Sequence, residues 1–170
     1  MATRREAFGQ VYKEHLSWML HTVRRLGVRG AEGEDAVHDV FATAWRRLDT
    51  YSPERPLRPW LFGIAFRVVA NRKVLRSGKE TPTEAFDHRE GHSAAPDAQL
   101  QAEQTRDQVI KALDALPLEQ RALFVGHDIE QTPITDLARE LEVPLNTAYS
   151  RLRLARQRFE QVFQGLAEAT

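Results

Sequence analysis

The chain has 170 residues, of which 42% are hydrophobic, and it carries 24 basic and 24 acidic side chains. This length and composition are typical of one or two small globular domains. The absence of cysteine excludes disulfides, thiolate metal sites and cysteine nucleophiles, and no apolar run of about eighteen residues is present to insert into a membrane.

The zero net charge hides an uneven distribution along the chain. Residues 1–79 contain fifteen basic and eight acidic side chains. Residues 80–97 contain one basic and five acidic side chains, and residues 98–170 contain eight basic and eleven acidic side chains. Because exposed charges act over only about 8–10 Å at physiological salt, a nucleic acid responds to local patches more than to the sum. The first residues lack the apolar core of a signal peptide, so we expect a cytoplasmic protein.

The N-terminal part predicts three helices in sequence. Apolar residues recur at helical spacing over residues 8–26, and Gly27 follows as a helix terminator. A second periodic stretch, residues 37–48, is preceded by acidic residues that suit the positive end of a helix dipole. A third, residues 60–69, follows a proline-rich break. We predict one helical domain over residues 1–76.

The segment of residues 77–97 differs in composition from its surroundings. It contains two prolines, two glycines, several acids and one large apolar residue, Phe86. Such a segment cannot bury enough apolar surface to offset the entropy of ordering it, so we predict a flexible linker that proteases cleave first. Uniform protection from proteolysis would instead indicate that the two lobes clamp together.

Residues 98–170 predict a second helical domain that ends in a helix-turn-helix. Helical periodicity returns near Leu100, and no long alternation typical of a strand occurs anywhere in the chain. Thr132 and Pro133 are expected to start a scaffold helix, which the Val143-Pro144 pair ends. The fold class is therefore all-α, with two small helical domains joined by a flexible linker.

The last predicted helix separates an apolar stripe from a basic side. Its stripe consists of Leu145, Ala148, Leu152, Ala155, Phe159 and Val162, and Arg151, Arg153, Arg156 and Arg158 fall off it. No acidic residue interrupts residues 145–159, as expected of a helix that lies in the major groove of DNA. The alternative is a surface helical hairpin with solvated arginines.

The proline-rich break and the helix after it combine aromatic and basic side chains. Single-stranded nucleic acid stacks its bases on aromatic rings while arginines hold its phosphates, which favours a binding role for this stretch, residues 51–73. The alternative is that Trp60 and Phe66 are core residues. Taken singly, each of these two rings fits the core better, whereas the loop as a whole favours function.

Four stretches together resemble regions two and four of a bacterial sigma factor of the extracytoplasmic-function type. They are GEDAVHDVFATAW, PLRPWLFGIAFRVVANRKV, ALDALPLEQRALF and ITDLARELEVPLNTAYSRLRLAR, in the family's order and spacing. The resemblance implies that residues 1–76 form region two, which binds core RNA polymerase and the minus-ten element. It implies that residues 98–170 form region four, which binds the minus-thirty-five element. The chain departs from the family pattern at Phe66-Arg67, where the family commonly has Arg-Asn, and at Tyr149, where the family frequently has a basic residue.

The resemblance also assigns site residues. It assigns polymerase binding to the acidic and aromatic second helix, at Asp35, His38, Asp39 and Phe41, with Trp45 nearby. Minus-ten recognition and melting fall to Tyr51, Arg55, Arg58, Trp60, Arg67 and Asn71. Minus-thirty-five recognition falls to Asn146, Thr147, Tyr149, Ser150, Arg151, Arg153 and Arg156. The implied partners are core RNA polymerase and promoter DNA, with an anti-sigma factor as a further candidate.

Two other classes of function fit the sequence less well. An enzyme is not expected, because four of the six histidines lie singly on helices or helix ends, and His88 and His92 sit in the linker where no helix fixes them as a metal pair. No phosphate-binding glycine loop occurs, so we expect no catalytic residue, no metal, no cofactor and no small-molecule substrate. The alternative function is a self-sufficient helix-turn-helix regulator, which would usually dimerise on paired half-sites.

Overall fold

The computed structural model describes residues 3–78 and 96–169, which are helical and contain no strand. This confirms the all-α class. The α-helices of these residues are α1 (Arg4–Arg25), α2 (Gly30–Arg46), α3 (Leu57–Ser77), α4 (Pro96–Asp114), α5 (Leu118–Phe124), α6 (Ile134–Glu140) and α7 (Leu145–Glu168). A 3-10 turn, Leu48–Thr50, follows α2, and a π-helical turn, Val125–Ile129, continues α5.

The N-terminal lobe, residues 3–78, packs α1, α2 and α3 around one core. A capping box begins α1, since the Thr3 hydroxyl accepts a hydrogen bond from the Glu6 amide and the Glu6 carboxylate accepts one from the Thr3 amide. The helix ends before Gly27, whose φ of 104° lies in the left-handed region that glycine adopts readily. The predicted terminator is thus confirmed.

The C-terminal lobe, residues 96–169, is built on the apolar stripe of α7. Ala148, Leu152 and Ala155 are buried where α7 packs on α4 and α5, and the small side chains of the two alanines let helices approach closely. Beyond them Phe159 stacks on Phe124 at 4.5 Å between ring centroids. The stripe predicted from residue spacing therefore faces the core from Ala148 onward, whereas Leu145 at the start of the helix is exposed.

The first helix of the helix-turn-helix begins one residue later than predicted, and its last residue, Glu140, lies before the Val143-Pro144 pair that was expected to end it. Pro133 is the N-cap of α6 and Pro144 the N-cap of α7, and neither helix has a side-chain cap. Both prolines combine φ near their fixed value with extended ψ, which is the conformation that a cap residue needs. The predicted cap Thr132 instead donates its amide to the Gly126 carbonyl, before the helix starts.

The two lobes pack directly against each other through α3 and α6. Gly63 of α3 approaches α6 so closely that a Cβ at this position would lie 2.9 Å from the Glu140 carbonyl oxygen. The buried residues of both lobes form one cluster. The predicted linker falls largely outside the described residues, and of its ends Ser77 belongs to α3 while Pro96 and Asp97 belong to α4.

Candidate nucleic-acid and polymerase interfaces

The start of α7 exposes a polar and aromatic side. Tyr149, Ser150, Arg153 and Arg156 are exposed and, with His127, border a shallow depression on the surface of the C-terminal lobe. Asn146 is also exposed and Thr147 is half-buried. The structure thus brings most of the residues predicted to bind the minus-thirty-five element onto one surface.

Arg151 has a different environment from its neighbours on α7. It is half-buried and lines a cleft between the lobes together with Phe66 of α3 and Glu119 of α5. The turn of about 100° per residue along a helix explains why Arg151 and Arg153 point to different surroundings.

Arg156 is paired with a residue that the sequence pattern did not single out. The Asp128 carboxylate accepts hydrogen bonds from Arg156 Nε at 2.7 Å and Nη2 at 2.6 Å. These hydrogen bonds raise the pKa of Arg156 above its ordinary value. Asp128 lies 28 residues before Arg156, on the π-helical turn, so only the fold brings the two together.

The loop before α3 is held by its aromatic residues. The Tyr51 ring packs on Trp60 at 5.0 Å, and the Tyr51 hydroxyl donates to the Arg55 carbonyl at 2.7 Å. Trp60 is buried, which agrees with the core alternative for that ring, whereas Arg55 is exposed. Arg58 is exposed as well, and its guanidinium lies 5.2 Å above the Trp18 ring.

Arg67 is predicted to bind the minus-ten element, but its side chain contacts other residues of the protein. Its Nη2 donates to the Glu140 carbonyl at 2.8 Å and lies 3.1 Å from the Glu142 carboxylate. Asn71, one turn further along α3, is exposed. The internal partners of Arg67 come from the other lobe, which the local sequence pattern does not predict.

The predicted polymerase face of α2 is only partly exposed. Asp35, His38 and Asp39 lie on the surface, but Phe41 is 3% exposed and packs edge-on against Tyr12 in the core. Phe41 therefore packs beneath this face, because its ring is almost completely buried and has almost no exposed surface for a partner to contact. Asp39 forms an ion pair with Arg72 of α3 at 2.5 Å.

The aromatic side chain that α2 does expose is Trp45. It is 37% exposed and lies at the end of the helix, where the Phe8 ring contacts its edge at 5.2 Å and the Arg4 guanidinium lies 5.3 Å from its centre. The spacing of residues 37–48 predicts Trp45 on the buried side of this helix, but Arg4 and Phe8 of α1 cover its ring only in part.

Buried polar contacts between the lobes were also missed by the sequence pattern. Arg121 of α5 donates to the Leu26 carbonyl at the end of α1 and to the carbonyls of Asp114 and Leu116, at 3.0–3.1 Å. Glu130 accepts hydrogen bonds from Trp18 Nε1 at 2.5 Å and from Arg25 at 2.7 Å. Leu26, Trp18 and Arg25 lie about a hundred residues from their partners in the sequence, so no local signal points to these contacts between the lobes.

Two further observations concern the part of the chain that the structure describes. Within residues 3–78 and 96–169 no group of three His, Asp or Glu side chains is arranged to hold a metal ion. No helix in these ranges is both long and apolar enough to cross a membrane.

Comparison with known families accounts for both lobes. Sigma-70 region 2 matches residues 11–77, and sigma-70 region 4 matches residues 106–159. A curated relative, the extracytoplasmic-function sigma factor SigM of Mycobacterium tuberculosis, is 32% identical over 164 residues, which cover 95% of this chain and 80% of the relative. The chain belongs to the sigma-70 family, in its extracytoplasmic-function type.

Other relatives agree with this assignment. The sigma factor RpoE of Cereibacter sphaeroides is 29% identical over 91% of this chain and 85% of its own length. Among solved structures, RpoE in complex with the anti-sigma factor NepR from Bartonella quintana is similar with a TM-score of 0.73 at 21% identity, covering 93% of this chain and 97% of that one. CnrH in complex with the cytosolic domain of CnrY has a TM-score of 0.66 at 23% identity and covers 95% and 90%.

Membership of the family gives the class of function. This chain is an RNA polymerase sigma factor for transcription initiation, and sigma factors are regulatory proteins that bind core RNA polymerase and promoter DNA without catalysing a reaction themselves. The two solved relatives show the fold alone, since their identity to this chain is low.

Proposed function

We propose that this sigma factor reads the minus-thirty-five element with α7 and the minus-ten element with α3 and the loop before it. The observation that carries the proposal is the polar side of α7, where Tyr149, Ser150 and Arg153 are exposed together and no acidic residue interrupts residues 145–159. A helix of this kind can enter the major groove while its apolar stripe stays on the lobe behind it.

Within the N-terminal lobe the exposed residues of the minus-ten set are the proposed DNA contacts. Arg55, Arg58 and Asn71 are accessible, and Tyr51 is half-buried against Trp60. Trp60 is buried, so we assign it the role of supporting the loop. Exposed arginines beside a partly exposed ring suit an unpaired strand, because bases stack on rings and guanidinium groups hold phosphates.

The polymerase contact is proposed for the exposed face of α2. Asp35, His38 and Asp39 supply a polar rim, and Trp45 supplies an accessible aromatic ring at the end of the same helix. Interfaces between proteins often combine an aromatic anchor with charged residues around it. Polymerase would then supply the active site, and this chain would act in the cytoplasm where polymerase works.

An anti-sigma factor is a further proposed partner. RpoE from Bartonella quintana was solved in complex with its anti-sigma factor NepR, and the present chain shares its fold. The partner that restrains this chain would be found by purifying it from its own cells and identifying the proteins bound to it.

The deciding experiment separates a polymerase subunit from a regulator that acts alone. The purified chain is mixed with core RNA polymerase, and promoter binding and transcript formation are measured with and without it. We expect a stable complex with core polymerase and transcription only when both are present. Tight, specific binding of DNA by a dimer of the chain alone would support the self-sufficient regulator instead.

A further inference from the structure

Asp128 stands next to the proposed DNA surface although it belongs to neither helix of the helix-turn-helix. Its carboxylate holds Arg156 by two hydrogen bonds, to Nε and Nη2. The peptide of Asp128 is itself fixed, because its carbonyl accepts a hydrogen bond from the Gln131 amide side chain at 3.0 Å. A rigid turn thus holds a carboxylate beside an arginine of α7.

The two hydrogen bonds determine which edge of the guanidinium stays available. An arginine has five N–H donors in a planar fork, and Asp128 uses the edge formed by Nε and Nη2. The edge formed by Nη1 and Nη2 keeps two parallel donors. Guanine presents two acceptors, O6 and N7, in the major groove at the spacing that such a pair of donors matches.

We propose that Asp128 is a positioning residue that orients Arg156 to read a guanine in the minus-thirty-five element. The proposal rests on the proposed role of α7 in DNA recognition. Arg156 is half exposed on that helix, so its free edge can reach a base. Because Asp128 compensates its charge, Arg156 contributes to the choice of sequence more than to general attraction for phosphates.

The test uses holoenzyme assembled from core polymerase and the full chain. Binding and transcription are measured on promoters in which each G·C pair of the minus-thirty-five element is replaced in turn, over a series of salt concentrations. Asp128→Ala and Arg156→Lys should each reduce discrimination at the same single base pair by about fivefold or more, as expected for loss of a bidentate contact. The double variant should lose no more than the larger single loss, because both residues serve one contact.

Asp136→Ala is the matched control. Asp136 pairs with Arg139 on α6 in the same lobe, so this variant also removes an aspartate from an arginine, but away from α7. It should leave the base preference unchanged. Asp128→Asn, which keeps one acceptor for Arg156, should retain part of the discrimination.

Three results would overturn this inference in different ways. If Asp128→Ala strengthens binding to all sequences equally and steepens the salt dependence by about one unit, Asp128 merely competes with phosphate for Arg156. If Asp128→Ala changes nothing while the parent still discriminates, the positioning role is absent but the role of α7 stands. A parent holoenzyme with no minus-thirty-five preference would overturn the role of α7 as well.

Discussion

The arginines of α7 differ in the surroundings that their side chains meet. Arg153 is exposed, Arg151 is half-buried in the cleft beside Phe66, and Arg156 is held by Asp128. A guanidinium group that is free to reach a base edge can select a sequence, whereas one at the flank of the helix reaches the phosphate backbone more readily. The same residue type therefore has different proposed roles within six positions.

The first prediction separates base recognition from attraction to phosphates at the residue scale. Arg153→Ala should alter discrimination among minus-thirty-five sequences and cost about 1–3 kcal/mol on the preferred site, because a base contact is lost. Arg151→Ala should weaken binding to all sequences nearly equally and lower the salt slope by about one unit. Both are measured as holoenzyme binding on promoter variants across a salt series.

Each variant serves as the control for the other, since both remove one positive charge from the same helix. If neither changes the promoter preference or the salt dependence, α7 does not bind DNA in the proposed way.

At the scale of elements, α2 shows how one helix divides its residues between packing and a free face. Val37, Val40, Phe41 and Ala44 are buried, while Asp35, His38 and Asp39 face outward. The acidic residues of the face differ in their contacts, because Asp39 is paired with Arg72 of α3 and an arginine in its place would meet a like charge. Asp35 is therefore the cleaner position for testing the polymerase contact.

The second prediction is that Asp35→Arg weakens binding to core polymerase by about tenfold or more while the fold stays intact. Charge pairs across an interface can contribute more than 1 kcal/mol. Asp35 lies beyond the first turn of α2, which begins at Gly30, so replacing this exposed side chain should change the free energy of unfolding by less than about 0.5 kcal/mol. Affinity for core polymerase is measured by fluorescence titration, together with thermal unfolding of the free chain.

Asp107→Arg is the matched control, because Asp107 is an exposed acid on α4 of the other lobe. Equal affinities for the parent and Asp35→Arg would show that this face of α2 is wrongly assigned.

At the scale of the whole molecule, buried polar groups join the two lobes. Arg121 is 4% exposed, and burial lowers its pKa while Asp114 raises it. Its guanidinium satisfies the Leu26 carbonyl at the C-terminal end of α1, where a helix dipole favours positive charge. One side chain thus stabilises the end of a helix in one lobe from a position in the other.

The third prediction follows from these contacts. Arg121→Met should lower the free energy of unfolding by about 2–4 kcal/mol, because two buried carbonyl oxygens and one partly buried carbonyl oxygen lose their donor while the aliphatic volume is largely kept. Urea denaturation of the full chain, followed by circular dichroism, measures the change.

Arg106→Met is the control, since Arg106 is exposed on α4 and its replacement should change stability by less than about 0.5 kcal/mol. A change for Arg121→Met as small as that of the control would contradict a stabilising role for this buried arginine.

Residue spacing alone determined the helices, the all-α class and the polar side of α7. These features depend on periodicity within about ten residues, on glycine and proline at helix ends, and on the order of four local stretches, so each can be found in one pass along the chain. The resemblance to sigma factors of the extracytoplasmic-function type was predicted on the same stretches and is confirmed by the family comparison. The individual site residues stay predictions.

Only the tertiary structure decided which side chains are available. Phe41 and Trp45 both lie on the apolar side of α2, but neighbouring helices cover the first and leave the second accessible. Arg67 contacts Glu140, and Arg121 contacts Leu26, in the other lobe, 73 and 95 residues away in the sequence. Periodicity specifies the face of a helix on which a residue lies, whereas the packing of distant elements decides what that face meets, and this is why the contacts between the lobes could not be predicted.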